Sequence, residues 1–186
     1  MIFSALFIFY LCLDFKKLEP LDQIVKTHSF RIGIASIILM TALHAYMYYN
    51  ADYVNPSFNL FIYLTPALLG LAAQLYSKFK LNGAISFKQT VLAFIIVISL
   101  ALATQSICMY VITNYLDPSA KDAIIESSKM IASANQNELA ANQLFKEPTF
   151  SAGEYIRGFF SLTITYTIIG LISGLIISKV NPPKIS

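Results

Sequence analysis

Apolar residues fill four long stretches of the chain, about 32–49, 58–77, 87–116 and 152–179, and polar residues collect in the connections between them. Each stretch is long enough to cross the roughly 30 Å hydrocarbon core of a bilayer as a helix. The third organises the others. It lies within Ile85 to Pro118, ISFKQTVLAFIIVISLALATQSICMYVITNYLDP, where Ser86 followed by Gln89 predicts a capping box and Asp117-Pro118 predicts the stop. From Thr90 to Leu116 a helix would be about 40 Å long, enough to cross with tilt and project beyond the hydrocarbon.

The remaining segments fall into place around that span. Met1 to Phe15 is a shorter apolar run, about 22 Å if helical, which reads as a short extra N-terminal helix, either a span or a tilted interfacial helix. The span is preferred, because a face rich in Phe, Ile and Leu all round does not suit an interface; a signal peptide does not fit, since no basic residue precedes the run and no small-residue cleavage site follows it. From Pro20, Leu21, Ile24, Val25 and His28 recur at helical spacing, so 16–31 is expected as a cytoplasmic amphipathic segment that continues into the first long span. Asn55-Pro56 signals a turn, Pro66 a kink within the second span that Thr65 or a neighbouring helix must accommodate, and Asn82-Gly83 a break. The polar stretch 117–151 is expected to hold one short amphipathic helix through Ile124, Ile125, Met130 and Ile131 and a second through Leu139, Leu144 and Phe145. Ser151 with Glu154 predicts another capping box, at the start of the last span. The fold class is therefore all-α: a four-helix transmembrane domain over 32–181, with the short N-terminal helix and a helical extracytoplasmic loop.

Composition agrees with a bilayer as solvent. Hydrophobic residues make up 56% of the chain and charged residues 12%, about half the share usual in soluble domains. A net charge of +3 is too small to point to nucleic acid, but its distribution sets an orientation. One side gathers nine basic residues, Lys16, Lys17, Lys26, Arg31, Lys78, Lys80, Lys88, Lys179 and Lys184, against three acids; the other holds four basic residues against seven acids. By the positive-inside rule the lysine-rich side and the C-terminus are cytoplasmic, and the loop 117–151 is outside.

Few residues carry candidate chemistry. Gln105, with Thr104 and Ser106 beside it, lies near mid-span, where a buried amide must find partners; helix-to-helix glue is favoured over lining a transport path. His44 is the one ionisable side chain well inside a clear span, and a neutral ring bonded to a nearby hydroxyl or carbonyl is favoured over a proton relay, which would need further acids. Thr163, Thr167, Gly170, Gly174 and Ser178 share a face of the last span, and Gly170 and Gly174 form a GxxxG. That face is expected to meet Ala93, Val97, Ala101, Thr104 and Cys108 of the central span within one chain, a homodimer seam being the alternative. Asp122 and Glu126 stand one helical turn apart, more in keeping with a solvated face than with a divalent cation. Cys12 and Cys108 read as packing residues rather than a disulfide. No catalytic residue, metal ligand set or cofactor site emerges.

NGAISFKQ with the span after it, the terminal NYLDP, the polar loop and the closing GLISGLIISKV resemble a bacterial family of four-helix inner-membrane proteins catalogued as a domain of unknown function. The likeness covers about residues 28 to 181, its most specific pieces being SFKQ and Asp117-Pro118. It implies four spans with the loop after the third outside, it carries no catalytic residues across, and it suggests an accessory arrangement in envelope glycolipid assembly. The expected function is a non-enzymatic inner-membrane subunit with a membrane-protein partner. A small oligomeric transporter or lipid flippase is the alternative, and an outer-surface enzyme using Asp117, Asp122 or Glu126 stands third.

Overall fold

The structure, a computed structural model, describes residues 20–134 and 148–179. The expected helix over 1–15, Cys12, the second loop helix around Leu139 to Phe145 and the tail from 180 onward lie outside the described residues. Within them the chain forms α1 (Pro20–Tyr49), α2 (Pro56–Lys80), α3 (Phe87–Val111) continued by a π-helical turn (Ile112–Leu116), α4 (Ala120–Ala134) and α5 (Ala152–Lys179). Four of these helices are long and apolar enough to cross a membrane, which makes this a membrane protein of all-α architecture.

The helix ends follow local chemistry. Asn55 caps α2, its side-chain oxygen accepting from the Ser57 and Phe58 amides at 3.1 and 3.2 Å, with Pro56 opening the first turn. Ser86 and Gln89 close the expected capping box at the start of α3. At its far end, Thr113 Oγ1 and Asn114 Nδ2 donate to the carbonyls of Met109 and Tyr110, which an α-helical turn would give to backbone amides. The backbone widens there into the π turn and closes with the Asp117 amide on the Ile112 carbonyl, 2.8 Å. Ser151 caps α5 as expected through the Glu154 amide, but the Glu154 carboxylate reaches back to the amide of Phe150, at 2.8 Å, rather than to that of Ser151.

From Pro20 onward the amphipathic segment 16–31 is the opening part of α1 and runs unbroken into the first long span. Asp22 meets Gln89, Leu100 covers Gly33 and Thr41 neighbours Cys108, and each pair is separated by 67 residues. α1 and α3 therefore run parallel in a fixed register, and Asp22 is level with the first turn of α3.

α3 is the hub, packing on α1, α2 and α5 in turn. Its core contacts form three groups. Val25, Ala73, Leu81, Ile85, Ala93 and Val97 fill the end where α3 starts; Ala67, Phe94, Ile98, Leu102 and Tyr166 fill the seam with α2 and α5; Met40, Met47, Tyr53, Ile62, Ala101, Ile112 and Ala120 fill the end where α3 stops. Phe94, fully buried, is the central wedge. A Cβ on Gly70 of α2 would stand 2.7 Å from one edge of its ring, and a Cβ on Gly170 of α5 would strike the other edge. In a bilayer, where lipid is as apolar as leucine, such close approach and dispersion contact supply much of the helix attraction.

The small-residue face of α5 thus packs within the chain, but on a different part of α3 than expected. Gly170 and Gly174 meet Phe94, Thr90, Val91 and Phe87. The stripe Ala93, Val97, Ala101 and Cys108 turns instead toward α1, against Val25, Met40, Met47 and Thr41. A ring seated in a glycine notch fills space better than small residues facing small residues, and this rotates α3 away from the expected seam.

Candidate functional site

The polar side chains of the spans serve mainly as ties between helices and to backbone carbonyls. Gln74, fully buried on α2, donates from Nε2 to the Gly170 carbonyl of α5 at 3.0 Å. Tyr166 of α5 donates its hydroxyl to the Tyr63 carbonyl of α2. The carbonyl that Pro66 leaves without its helical amide is that of Ile62, one residue earlier, so the Tyr166 tie lies beside the break in the ladder. Thr65 bonds the Phe61 carbonyl of its own helix at 2.8 Å. Sequence reasoning passed over Gln74, although it stands one turn from Gly70 on the face that receives Phe94.

The expected site residues do not converge. His44 is buried on α1 and its Nδ1–H donates to the Met40 carbonyl of the same helix at 2.7 Å, the arrangement expected of a packed ring. Thr163 and Thr167 turn their hydroxyls onto the carbonyls of Phe159 and Thr163, each 2.7 Å away. Gly170 and Gly174 act through close packing. Gln105 departs from expectation: it is buried, yet among the described residues its Oε1 accepts no hydrogen bond and its amide ties no other helix. Gln74 performs the task assigned to it. Asp122 and Glu126 are exposed, and among the described residues no three His, Cys, Asp or Glu side chains come together.

Two polar knots close the ends of the bundle. At the start of α3, Gln89 uses its oxygen on the Ser86 amide at 3.0 Å and its Nε2 on Asp22 at 2.9 Å, while Lys88 stands 3.7 Å from the same carboxylate. Lys78 of α2 donates to the Ile177 carbonyl near the end of α5 at 2.6 Å, a cation placed on a helix C-terminus. At the other end Tyr53 donates to Asp117 at 2.7 Å, and the Ser119 amide and hydroxyl satisfy the second carboxylate oxygen. Asn114 bridges the Phe150 carbonyl and Lys121, and Thr113 meets the Tyr155 hydroxyl at 2.9 Å. Together these bonds fasten the start of α4 and the entry to α5 onto the end of α3.

The Ser119 hydroxyl, followed by that of Tyr53, holds Asp117 below the usual carboxylate range, and burial, followed by Asp117, pushes the Tyr53 phenol above its usual range. A lowered acid contributes stability above its unfolded pKa and loses it as pH falls through the folded value. A raised phenol contributes below its unfolded value and loses it as pH rises through the folded one. Protection of 117–130 from hydrogen exchange is therefore expected to hold between about pH 5 and 9 and to weaken toward either extreme. Asp117→Asn should flatten the acid limb, and an unchanged limb in that variant would remove the pair from the account.

No curated protein and no solved structure matches the chain. A family model described as a protein of unknown function, DUF4199, matches residues 27–179, and the chain belongs to that family.

Proposed function

We propose that this protein is a non-enzymatic accessory or assembly subunit of a larger complex in the bacterial inner membrane. The lysine-rich end and the C-terminus face the cytoplasm, and the loop 117–151 faces out, because basic residues are retained on the cytoplasmic side. SFKQ and Asp117-Pro118 serve as family signatures in this reading, since they begin and end the hub helix and tie it to α1 and α4.

One observation carries the proposal. In their most apolar windows α5 buries 22% and α1 28% of their residues, against 44% for α3. The two edge helices leave broad faces outward, an arrangement suited to lateral association. Extraction in mild detergent is expected to bring down a different membrane protein in fixed stoichiometry. A chain that runs alone at every expression level would sink the proposal.

A specific observation supports the second reading, a small oligomeric transporter or lipid flippase: among the described residues the amide oxygens of Gln74 and Gln105 and the hydroxyls of Ser29, Ser77 and Ser99 are buried without a hydrogen-bond partner. Transport or lipid scrambling by the purified chain in vesicles, abolished by Gln105→Leu, is the result that would favour it.

A further inference from the structure

We propose that the outward face of α1 around Arg31 docks a transmembrane helix of a different chain, one carrying a carboxylate at the depth of Arg31. This rests on the accessory-subunit reading and names its contact. Arg31 is exposed, and among the described residues it has no carboxylate partner; Asp22 is taken by Gln89 and Lys88.

Depth makes this placement unusual. α3 with its π turn has 30 residues, about 45 Å, so a hydrocarbon core of roughly 30 Å leaves about 7 Å beyond each face. Asp22 is level with Gln89 near the start of α3. Arg31 follows nine residues later, about 13 Å further along, which sets its backbone about 9 Å inside the hydrocarbon edge. A guanidinium facing lipid there is costly, and intramembrane charges normally pair.

The surface beside it is shaped for a partner helix. Gln23, Ile24, Thr27, His28 and Arg31 line a shallow hollow of about 310 Å³, backed by α2 through the edge contact of His28 with Tyr76 at 5.4 Å. Deeper on the same face Ala35, Ala42 and Ala45 are exposed beside Ile38. Small residues at that spacing admit the backbone of a neighbouring helix, whereas a lipid tail needs no such notch. A second copy of this chain does not fit, because a two-fold contact through this face sets Arg31 against Arg31 in low dielectric. A carboxylate opposite Arg31 supplies the bidentate, charge-assisted partner that a guanidinium takes best.

The test places a photoreactive amino acid at Ala35 of the full chain in native membranes and identifies the adduct by mass spectrometry. The expected adduct is a different membrane protein with Asp or Glu inside a span. Its yield should fall about tenfold in Arg31→Gln, fall less in Arg31→Lys, which keeps the charge but not the bidentate fork, and return when Arg31→Glu is combined with a lysine replacing the partner's carboxylate. An adduct to lipid, to a second copy, or to residues 1–19 of the same chain, which include Asp14 and Glu19, would overturn the proposal. So would a yield indifferent to Arg31→Gln. A partner that co-purifies yet attaches through another face removes this docking surface and leaves the accessory-subunit reading standing; no partner at all removes both.

Discussion

Gly170→Leu is expected to lose about 3 kcal/mol of stability in detergent, the upper part of the range for overpacked cores. The Phe94 ring fills the space any side chain at Gly170 would need, and Gly70 closes it from the opposite edge, so the ring cannot slide aside. The Gly170 carbonyl also accepts from Gln74, and moving α5 outward to admit leucine would stretch that bond and the Tyr166 tie beside it. Helical signal followed through a denaturing detergent titration should show the loss. Phe94→Ala in the same chain should return part of it, because the new side chain then occupies the vacated ring volume. Gly158, whose added Cβ would meet nothing within 4 Å, is the control: Gly158→Ala should leave stability unchanged or slightly raised. Equal stability of Gly170→Leu and the native chain would contradict the wedge.

Gln89→Leu is expected to cost about 2–3 kcal/mol, more than the loss of a single cap. Gln89 completes the capping box and donates to Asp22, so its removal frees the Ser86 amide and leaves a buried carboxylate with only Lys88 at 3.7 Å. Ser86→Ala, which removes only the hydroxyl that receives the Gln89 amide, should cost about 1 kcal/mol. Gln89→Glu offers the sharper contrast. Two carboxylates then meet at the start of α3, so this variant should be weakest at neutral pH and recover as acid protonates one of them. Equal losses for Ser86→Ala and Gln89→Leu would mean that the contact with Asp22 contributes nothing.

These residues also show where the fold was legible in the sequence. The spans follow from apolar length, which lipid enforces by leaving no unpaired backbone in the hydrocarbon. Ser86-x-x-Gln89, Asn55-Pro56 and Asn82-Gly83 act within a few residues of themselves, and each lies where a helix begins or ends. The rotation of helices about their axes was not legible, because it depends on side chains far apart in sequence. Ala93, Val97 and Ala101 suit a glycine-bearing neighbour as well as they suit α1, and only the volume of Phe94 between Gly70 and Gly170 decides between them. The same limit hid Gln74 and raised Gln105: both are amides within spans, but one reaches the Gly170 carbonyl across on α5 and the other ties no other helix among the described residues. The depth of Arg31 was not legible either, because it depends on the register of α1 on α3 that the tie between Asp22 and Gln89 sets.

The central claim is that the outward faces of α1 and α5 belong to a complex with a different protein. The mass of the particle extracted directly into native nanodiscs, without prior detergent, tests it most directly. The account predicts one copy of this 20.7 kDa chain together with a second polypeptide in fixed ratio. A particle holding this chain alone, as a single copy or as whole multiples of its own mass, would contradict it.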